Sequence, residues 1–167
     1  MRKCPRAIPP VRATISPDGL SLYFASDRPR DGGDEPDDLD LYVARRASRD
    51  APWGRAANLG PRINSSALEH SVAFSPDGLT MYFASNRPGG CGKHDICVSA
   101  REDLWITRWD AAAGRWAVPV NAGPGINTEY DEEMPSITHD GFELFFPSDR
   151  PGGLGRQDLY VALRVSA

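Results

Sequence analysis

Short apolar runs recur along the chain, and each one directly follows the same kind of polar turn. The run at residues 20–25 follows Ser-Pro-Asp-Gly at residues 16–19, and it returns at residues 79–84 and, altered, at residues 142–147. Proline at the second position and glycine at the fourth are typical of a tight type I turn. The apolar positions alternate imperfectly, as in a strand that is covered on both faces. No segment has a sustained helical period, so the pattern predicts an all-β chain.

The turn and the strand after it belong to a larger repeated unit. Its copies begin at residues 16, 75 and 138, which are separated by 59 and 63 residues. A second set of matches lies 63 positions apart without gaps: Trp53, Asn58, Gly60, Pro61, Ile63 and Asn64 match Trp116, Asn121, Gly123, Pro124, Ile126 and Asn127. Repeats of this length, with about four short strands in each, are typical of β-propeller blades.

We therefore predict a partial β-propeller of about three four-stranded antiparallel blades, open as a single chain. One domain or fragment spans residues 1–167, with units at approximately residues 10–63, 64–126 and 127–167. Propellers close with about four to eight blades, so three units do not close a ring. We expect either a longer propeller or a homodimer that completes a six-blade ring, because an open arc exposes sheet edges and apolar faces.

The third strand of the second unit can be placed in two ways. Asp95 lies eight residues after Arg87, which is the spacing found in the third unit, whereas Asp103 lies 13 residues before the repeated tryptophan, which is the spacing found in the first. We favour residues 95–99 as the strand, with residues 102–116 as an extra hairpin. The alternative makes the earlier segment a long loop. Either way this unit carries an insertion, and insertions often mark the binding face of a repeat protein.

The repeated string resembles the WD-repeat-like β-propeller repeat of the TolB type. The resemblance rests on Ser-Pro-Asp-Gly, then Leu-Tyr-Phe-Ala-Ser-Asp/Asn-Arg-Pro-Gly-Gly, then Asp-Leu-Tyr-Val, and it covers nearly the whole chain. Such repeats build the propeller of a periplasmic translocation protein, and they occur beside peptidoglycan-binding domains. The resemblance implies a non-catalytic module, periplasmic or extracellular, that binds a protein or a cell-envelope component. Two alternatives stay open: a propeller segment of a larger oligopeptidase-like hydrolase, and a propeller that binds a glycan or a small molecule.

Composition and the absence of known motifs argue against several classes of function. The chain is 40% hydrophobic and 25% charged with a net charge of −4, so it has no basic surface that favours nucleic acid. It has no apolar run long enough for a membrane span, and residues 1–10 lack the apolar core of a signal peptide. Hydrolase, zinc-protease and phosphate-loop motifs are absent from the sequence. We therefore predict no catalytic residue, no metal and no cofactor.

Two segments that differ between the units are the candidate binding surfaces. The first unit has an acidic loop where the others have glycines, but its carboxylates lack the ligand order of an EF-hand. The second unit has the insertion, which carries a histidine and two tryptophans. The candidate binding residues are Asp31, Asp34, Glu35, Asp37, Asp38, His94, Trp105 and Trp109.

The spacing of the cysteines does not indicate a zinc site. Cys91, His94 and Cys97 offer three zinc ligands within seven residues but no obvious fourth, and the spacing is not that of a standard finger. A disulfide between the two cysteines, in an exported protein, and free thiols both remain open.

Several charged residues also recur in register. Because arginine suits bidentate pairing with carboxylates, we predict one structural ion pair in each blade rather than a ring of arginines around a channel. The pairs are Arg28 with Asp40, Arg87 with Asp95, and Arg150 with Asp158. Glu69 and Glu132 are expected to be solvated rim carboxylates rather than channel groups, the run at residues 129–133 to be surface charge, and His70 and His139 to be turn or surface residues.

Overall fold

The computed structural model describes residues 13–28, 39–89 and 102–164. These residues form β-strands and no helix, so none of them forms a helix that could span a bilayer. The acidic loop residues Asp31, Asp34, Glu35, Asp37 and Asp38, together with Cys91, His94, Asp95 and Cys97, lie outside the described residues.

The strands form three antiparallel sheets, which are the blades of an open, partial propeller. Blade 1 has the order β1-β2-β3-β4, blade 2 has β5-β6-β7-β8 with β9 also paired to β7, and blade 3 has β10-β11-β12. The all-β prediction and the predicted blade architecture are confirmed. The strands are β1 (Ala13–Ile15), β2 (Ser21–Ser26), β3 (Asp40–Arg45), β4 (Ala57–Asn58), β5 (Glu69–Phe74), β6 (Thr80–Ser85), β7 (Asp103–Asp110), β8 (Arg115–Trp116), β9 (Val120–Asn121), β10 (Ser136–Ile137), β11 (Glu143–Ser148) and β12 (Asp158–Leu163).

The repeated turn joins the first two strands of each blade. In blade 2 the Gly78 amide donates to the Ser75 carbonyl at 2.8 Å, and Asp77 accepts the Leu79 amide at 2.9 Å. Gly78 has φ of +70°, a left-handed conformation that glycine adopts without a steric cost. Serine, aspartate and glycine thus each satisfy a local requirement of this turn.

The favoured placement of the third strand in blade 2 is wrong. Residues 103–110 pair with β6, with Tyr82 opposite Ile106, whereas residues 95–99 lie outside the described residues. The predicted hairpin exists, since Asp110 pairs with Arg115, but its first strand is the blade's own third strand. Strand β7 begins at Asp103, whose carboxylate accepts a hydrogen bond from the Asn121 side chain at 2.7 Å. These two residues are 18 positions apart, as Asp40 and Asn58 are in blade 1, whereas Asp95 lies 26 positions before Asn121.

Apolar residues pack in two clusters between adjacent blades. Tyr23 and Leu41 of blade 1 meet Phe74 and Phe83 of blade 2, and the Tyr23 and Phe74 rings lie 4.8 Å apart. A smaller cluster joins blade 2 to blade 3. Burial of a side chain of this size contributes about 1.5–3 kcal/mol. Each blade is therefore stabilised mainly by its neighbours, as in other repeat proteins.

Candidate binding site

The innermost strands of all three blades line one groove, which we call the axial groove. Its volume is about 590 Å³. Strand β1 forms one wall, residues 71–74 of β5 form the second, and residues 134–137 leading into β10 form the third. Because each blade contributes its first strand, the groove marks the side of the arc on which the blades converge.

Main-chain groups are available along the axial groove. Among the described residues β1 pairs only with β2, β5 only with β6, and β10 only with β11, so each innermost strand has one unpaired edge. One link crosses between blades here, since the Thr14 hydroxyl donates to the Val72 carbonyl at 2.7 Å. Unpaired strand edges are templates for an added polypeptide strand.

Two residues beside the groove have an unusual backbone conformation. Ser71 has φ of +54° and Met134, its counterpart one repeat later, has φ of +43°. The register of β5 against β6 shifts between His70 and Ala73. Bulges of this kind redirect side chains and are frequent near functional sites. Sequence reasoning missed both residues, because neither is a glycine and no local pattern indicates a positive φ.

A buried histidine lies next to this bulge. His70 is 1% exposed, its Nε2 lies 2.8 Å from Glu102 Oε2, and its Nδ1 lies 2.7 Å from the hydroxyl of Ser71. The expectation of a turn or surface position for His70 is wrong. A buried imidazole needs a polar partner, and Glu102, 32 residues away in the sequence, supplies it.

Glu133 occupies in blade 3 the position that His70 has in blade 2. Burial, followed by the negative charge of Glu102, raises the pKa of Glu133. Asp131 raises this pKa further, whereas His70 and a hydrogen bond from Gln157 lower it. The carboxylates of Glu102 and Asp131 therefore add to burial in disfavouring the ionisation of Glu133.

We expect Glu133→Gln to stabilise the chain at alkaline pH. The pKa of Glu133 in the folded chain lies above its ordinary value of 4.5, so its contribution is present below that value and is lost as pH rises through the raised pKa. The free energy of unfolding of the variant should exceed that of the unchanged chain by on the order of 1 kcal/mol near pH 8, and the two should differ little near pH 4. Urea unfolding across this pH range measures the difference. An equal pH dependence in the two proteins would contradict the assigned environment.

The repeated glutamates are buried and paired, contrary to the expectation of solvated rim carboxylates. Glu69 and Glu132 are both 0% exposed. Arg87 Nη2 lies 3.0 Å from Glu69 Oε1, and Arg150 Nη2 lies 2.9 Å from Glu132 Oε1. Serine, threonine and main-chain donors complete each site, so the carboxylates are sequestered from solvent rather than exposed to it.

Two of the three predicted arginine–aspartate pairs are replaced by other contacts, and the third lies partly outside the described residues. Arg150 binds Glu132, while Asp158 accepts the Gly155 amide at 3.1 Å. In blade 1, Arg28 stacks over the ring of Tyr42 at 4.7 Å, and Asp40 accepts the side chain of Asn58 at 2.8 Å. Arg87 binds Glu69, and its predicted partner lies outside the described residues.

Both candidate tryptophans belong to blade 2 and pack against the core between blades 1 and 2. Trp105 is buried in the core between blades 1 and 2, with Arg87 over its ring at 5.1 Å. Trp109 is partly buried and meets Trp116 edge-on at 5.4 Å. Neither lines the axial groove. In the part of the chain that the structure describes, no three histidine, cysteine or acidic residues are placed to hold a metal ion.

Known proteins resemble the chain in fold rather than in sequence. No sequence model of a protein family matches it, and no curated protein sequence matches it. TolB from Acinetobacter baumannii superimposes with a TM-score of 0.52 and 16% identity, over 92% of this chain and 30% of that one. A structure described as TolB from Agrobacterium tumefaciens gives 0.52 and 19%, over 83% of this chain and 38% of that one. This chain thus spans about a third of the length of each structure. It has a TolB-type β-propeller fold, present as an open arc of three blades.

Proposed function

We propose that the chain is a non-catalytic β-propeller module that binds a protein or a cell-envelope component. The observation that carries the proposal is the axial groove, to which all three blades contribute. A groove shared between blades depends on the arc rather than on any one repeat, so it is the feature that a binding role would use. Concave sites with mixed polar and apolar walls are the usual form of ligand sites.

The chemistry of the groove favours an extended polypeptide as the bound segment. Its walls offer the free edges of three strands, and apolar side chains such as Val72 and Pro135 lie between them. Main-chain hydrogen bonds along such edges give affinity, and side-chain pockets give specificity.

Catalysis by this chain itself is disfavoured by the burial of a suggestive cluster among the described residues. Ser71, His70 and Glu102 form a hydrogen-bonded row of the residue types used in acyl transfer. Ser71 is only 4% exposed, so a substrate carbonyl would reach its hydroxyl only if the bulge moved. Covalent labelling of Ser71 by a fluorophosphonate would contradict the non-catalytic proposal.

Capture from an envelope extract tests the role of the groove. Ile15 and Ser136 are exposed positions on opposite walls, so Ile15→Arg and Ser136→Arg should leave the fold intact. We expect each to reduce capture of a defined partner about tenfold, because a buried charge in the interface costs about 1.4 kcal/mol or more. Val118→Arg, at an exposed position outside the groove, is the control and should capture normally. Equal capture by all four proteins would refute the groove assignment.

Location and self-association are part of the same proposal. The likeness to TolB structures supports a periplasmic or extracellular location. The homodimer that completes a six-blade ring is supported by the exposed apolar face of blade 3, which includes Leu159 and Val161. Light scattering of the whole chain tests it, and a stable monomer would contradict the ring.

A further inference from the structure

Blades 1 and 2 each hold a short outer strand against their third strand. In blade 1, β4 pairs with β3, with Asn58 opposite Tyr42. In blade 2, β9 pairs with β7, with Asn121 opposite Trp105. Each of these asparagines donates its side chain to the aspartate that begins the third strand, at 2.8 Å to Asp40 in blade 1 and 2.7 Å to its counterpart in blade 2.

A second asparagine, six residues further on, binds the main chain of the third strand. Asn64 accepts the Leu41 amide at 2.9 Å and donates to the Leu41 carbonyl at 3.0 Å. Asn127 makes the same two bonds to Leu104, both at 2.9 Å. Both leucines are 0% exposed. The segment Asn-x-Gly-Pro-x-Ile-Asn thus covers the outer edge of each of these strands and satisfies its buried polar groups.

Blade 3 presents the same edge without such a segment on it. Among the described residues β12 pairs only with β11. Its first residues, Asp158 and Leu159, correspond to the Asp-Leu that receives the two asparagines in the other blades. Leu159 is 71% exposed, whereas the corresponding Leu41 and Leu104 are 0% exposed, and Val161 on the same face is 49% exposed. The recognition elements are therefore present on this edge, and none of the described residues pairs with it.

We propose that the outer edge of β12, at residues 157–161, binds an extended polypeptide segment of the form Asn-x-Gly-Pro-x-Ile-Asn, which adds as the fourth strand of blade 3. The first asparagine donates to Asp158, and the second binds the amide and the carbonyl of Leu159. The isoleucine covers the exposed side chains of Leu159 and Val161. This site lies on the outermost strand, so it is distinct from the axial groove on the innermost strands.

Blades 1 and 2 also indicate which residue of the bound segment should follow its second asparagine. Five residues later a glutamate donates its amide to the carbonyl just before the third strand: Glu69 to Leu39 at 2.8 Å, and Glu132 to Glu102 at 2.7 Å. Gln157 holds the equivalent carbonyl in blade 3. A ligand that ends in this glutamate should therefore bind more tightly than one that stops at the second asparagine.

A synthetic peptide that copies residues 118–132 tests the proposal, because it contains every recognition element. The labelled peptide is titrated against the whole chain, and binding is followed by fluorescence anisotropy. We expect saturable binding and amide-exchange protection at residues 158–161. A peptide with both asparagines replaced by alanine should bind at least about tenfold more weakly, because several buried hydrogen bonds are lost.

Variants of the chain locate the site. Asp158→Ala and Val161→Lys should each weaken peptide binding about tenfold or more. Leu163→Arg is the matched control: it lies on the same strand, its counterparts Arg45 and Arg108 are exposed, and binding should not change. Asp158→Ala also distinguishes this edge from displacement of β9 in blade 2, which would not require Asp158.

Four results would overturn the proposal. The first is absence of binding, and the second is equal binding of the alanine peptide. The third is loss of binding in Ile15→Arg, which would place the peptide in the axial groove. The fourth is amide-exchange protection of residues 158–161 in a self-associated chain without the peptide, which would assign the strand edge itself, and not only the apolar face beside it, to a second copy. Failure here leaves the groove proposal untouched, because the capture experiment uses no residue of β12.

Discussion

Replacing Glu132 by alanine is expected to lower the free energy of unfolding by about 3–5 kcal/mol, because it breaks a buried ion pair and leaves one charge without its partner. The carboxylate is fully buried and accepts from the Thr128 amide and hydroxyl, from the Ser148 hydroxyl at 3.0 Å, and from Arg150. Its removal leaves these donors without their acceptor; Ser148 among them is completely buried, and the Arg150 side chain is 20% exposed. The total free energy of unfolding of a typical domain is about 5–15 kcal/mol, so the variant should be only marginally folded.

Urea unfolding at neutral pH measures this loss. Glu129→Ala is the matched control, since Glu129 lies three residues away in the same acidic run and is exposed. It should change stability by no more than about 0.5 kcal/mol. If both variants lose the same small amount, the ion pair does not contribute as its geometry indicates. Arg150→Ala should resemble Glu132→Ala, because it leaves the carboxylate buried and unpaired.

The blade architecture could be predicted from the sequence because the features that specify it are local. Each repeated turn is specified by four consecutive residues, and Gly78 shows the positive φ that such a turn requires. The repeat period then places equivalent strands in equivalent blades. No long-range contact has to be known for either step.

The third strand of blade 2 was misplaced because its position depends on contacts that are distant in sequence. The eight-residue spacing between Arg87 and Asp95 is a local match. The actual strand begins at Asp103, where Asn121 and Asn127 supply side-chain hydrogen bonds from 18 and 23 residues away. The 13-residue spacing to the repeated tryptophan carried the correct signal, but the sequence did not show which spacing reflects a contact.

Burial of the repeated glutamates was missed for a different reason. Carboxylates are rarely fully buried unless they are paired, so a rim position was the natural expectation. The repeat nevertheless indicates the pairing, since Glu69 precedes Arg87 by 18 residues and Glu132 precedes Arg150 by the same number. An arginine that recurs with a glutamate at fixed spacing was as strong a signal as one that recurs with an aspartate. The positive φ of Ser71 had no such signal.

Asn127→Ala is expected to destabilise the chain by about 2–4 kcal/mol. It leaves the buried Leu104 amide without its partner, which costs about 1–3 kcal/mol, and it removes one of the two donors to the Leu104 carbonyl, which keeps the Ala122 amide at 3.0 Å. The bond to the side chain of Asn121 at 2.9 Å is lost as well, which loosens its contact with Asp103. Because Leu104 is completely buried, water cannot replace the missing partner without disturbing the packing between blades 2 and 3.

Urea unfolding together with amide exchange at Leu104 tests this expectation, since the amide should lose protection along with the stability. Asp149→Asn is the control, because Asp149 Oδ1 accepts the Asp131 amide in blade 3 and Asn86 Oδ1 accepts the equivalent amide in blade 2. Asp149 is exposed, and the repeat itself shows that an asparagine oxygen serves at that position, so this variant should change stability by no more than about 0.5 kcal/mol. If Asn127→Ala proved as mild as Asp149→Asn, the second asparagine would not secure the strand edge, and the edge of blade 3 would lose its main element of recognition.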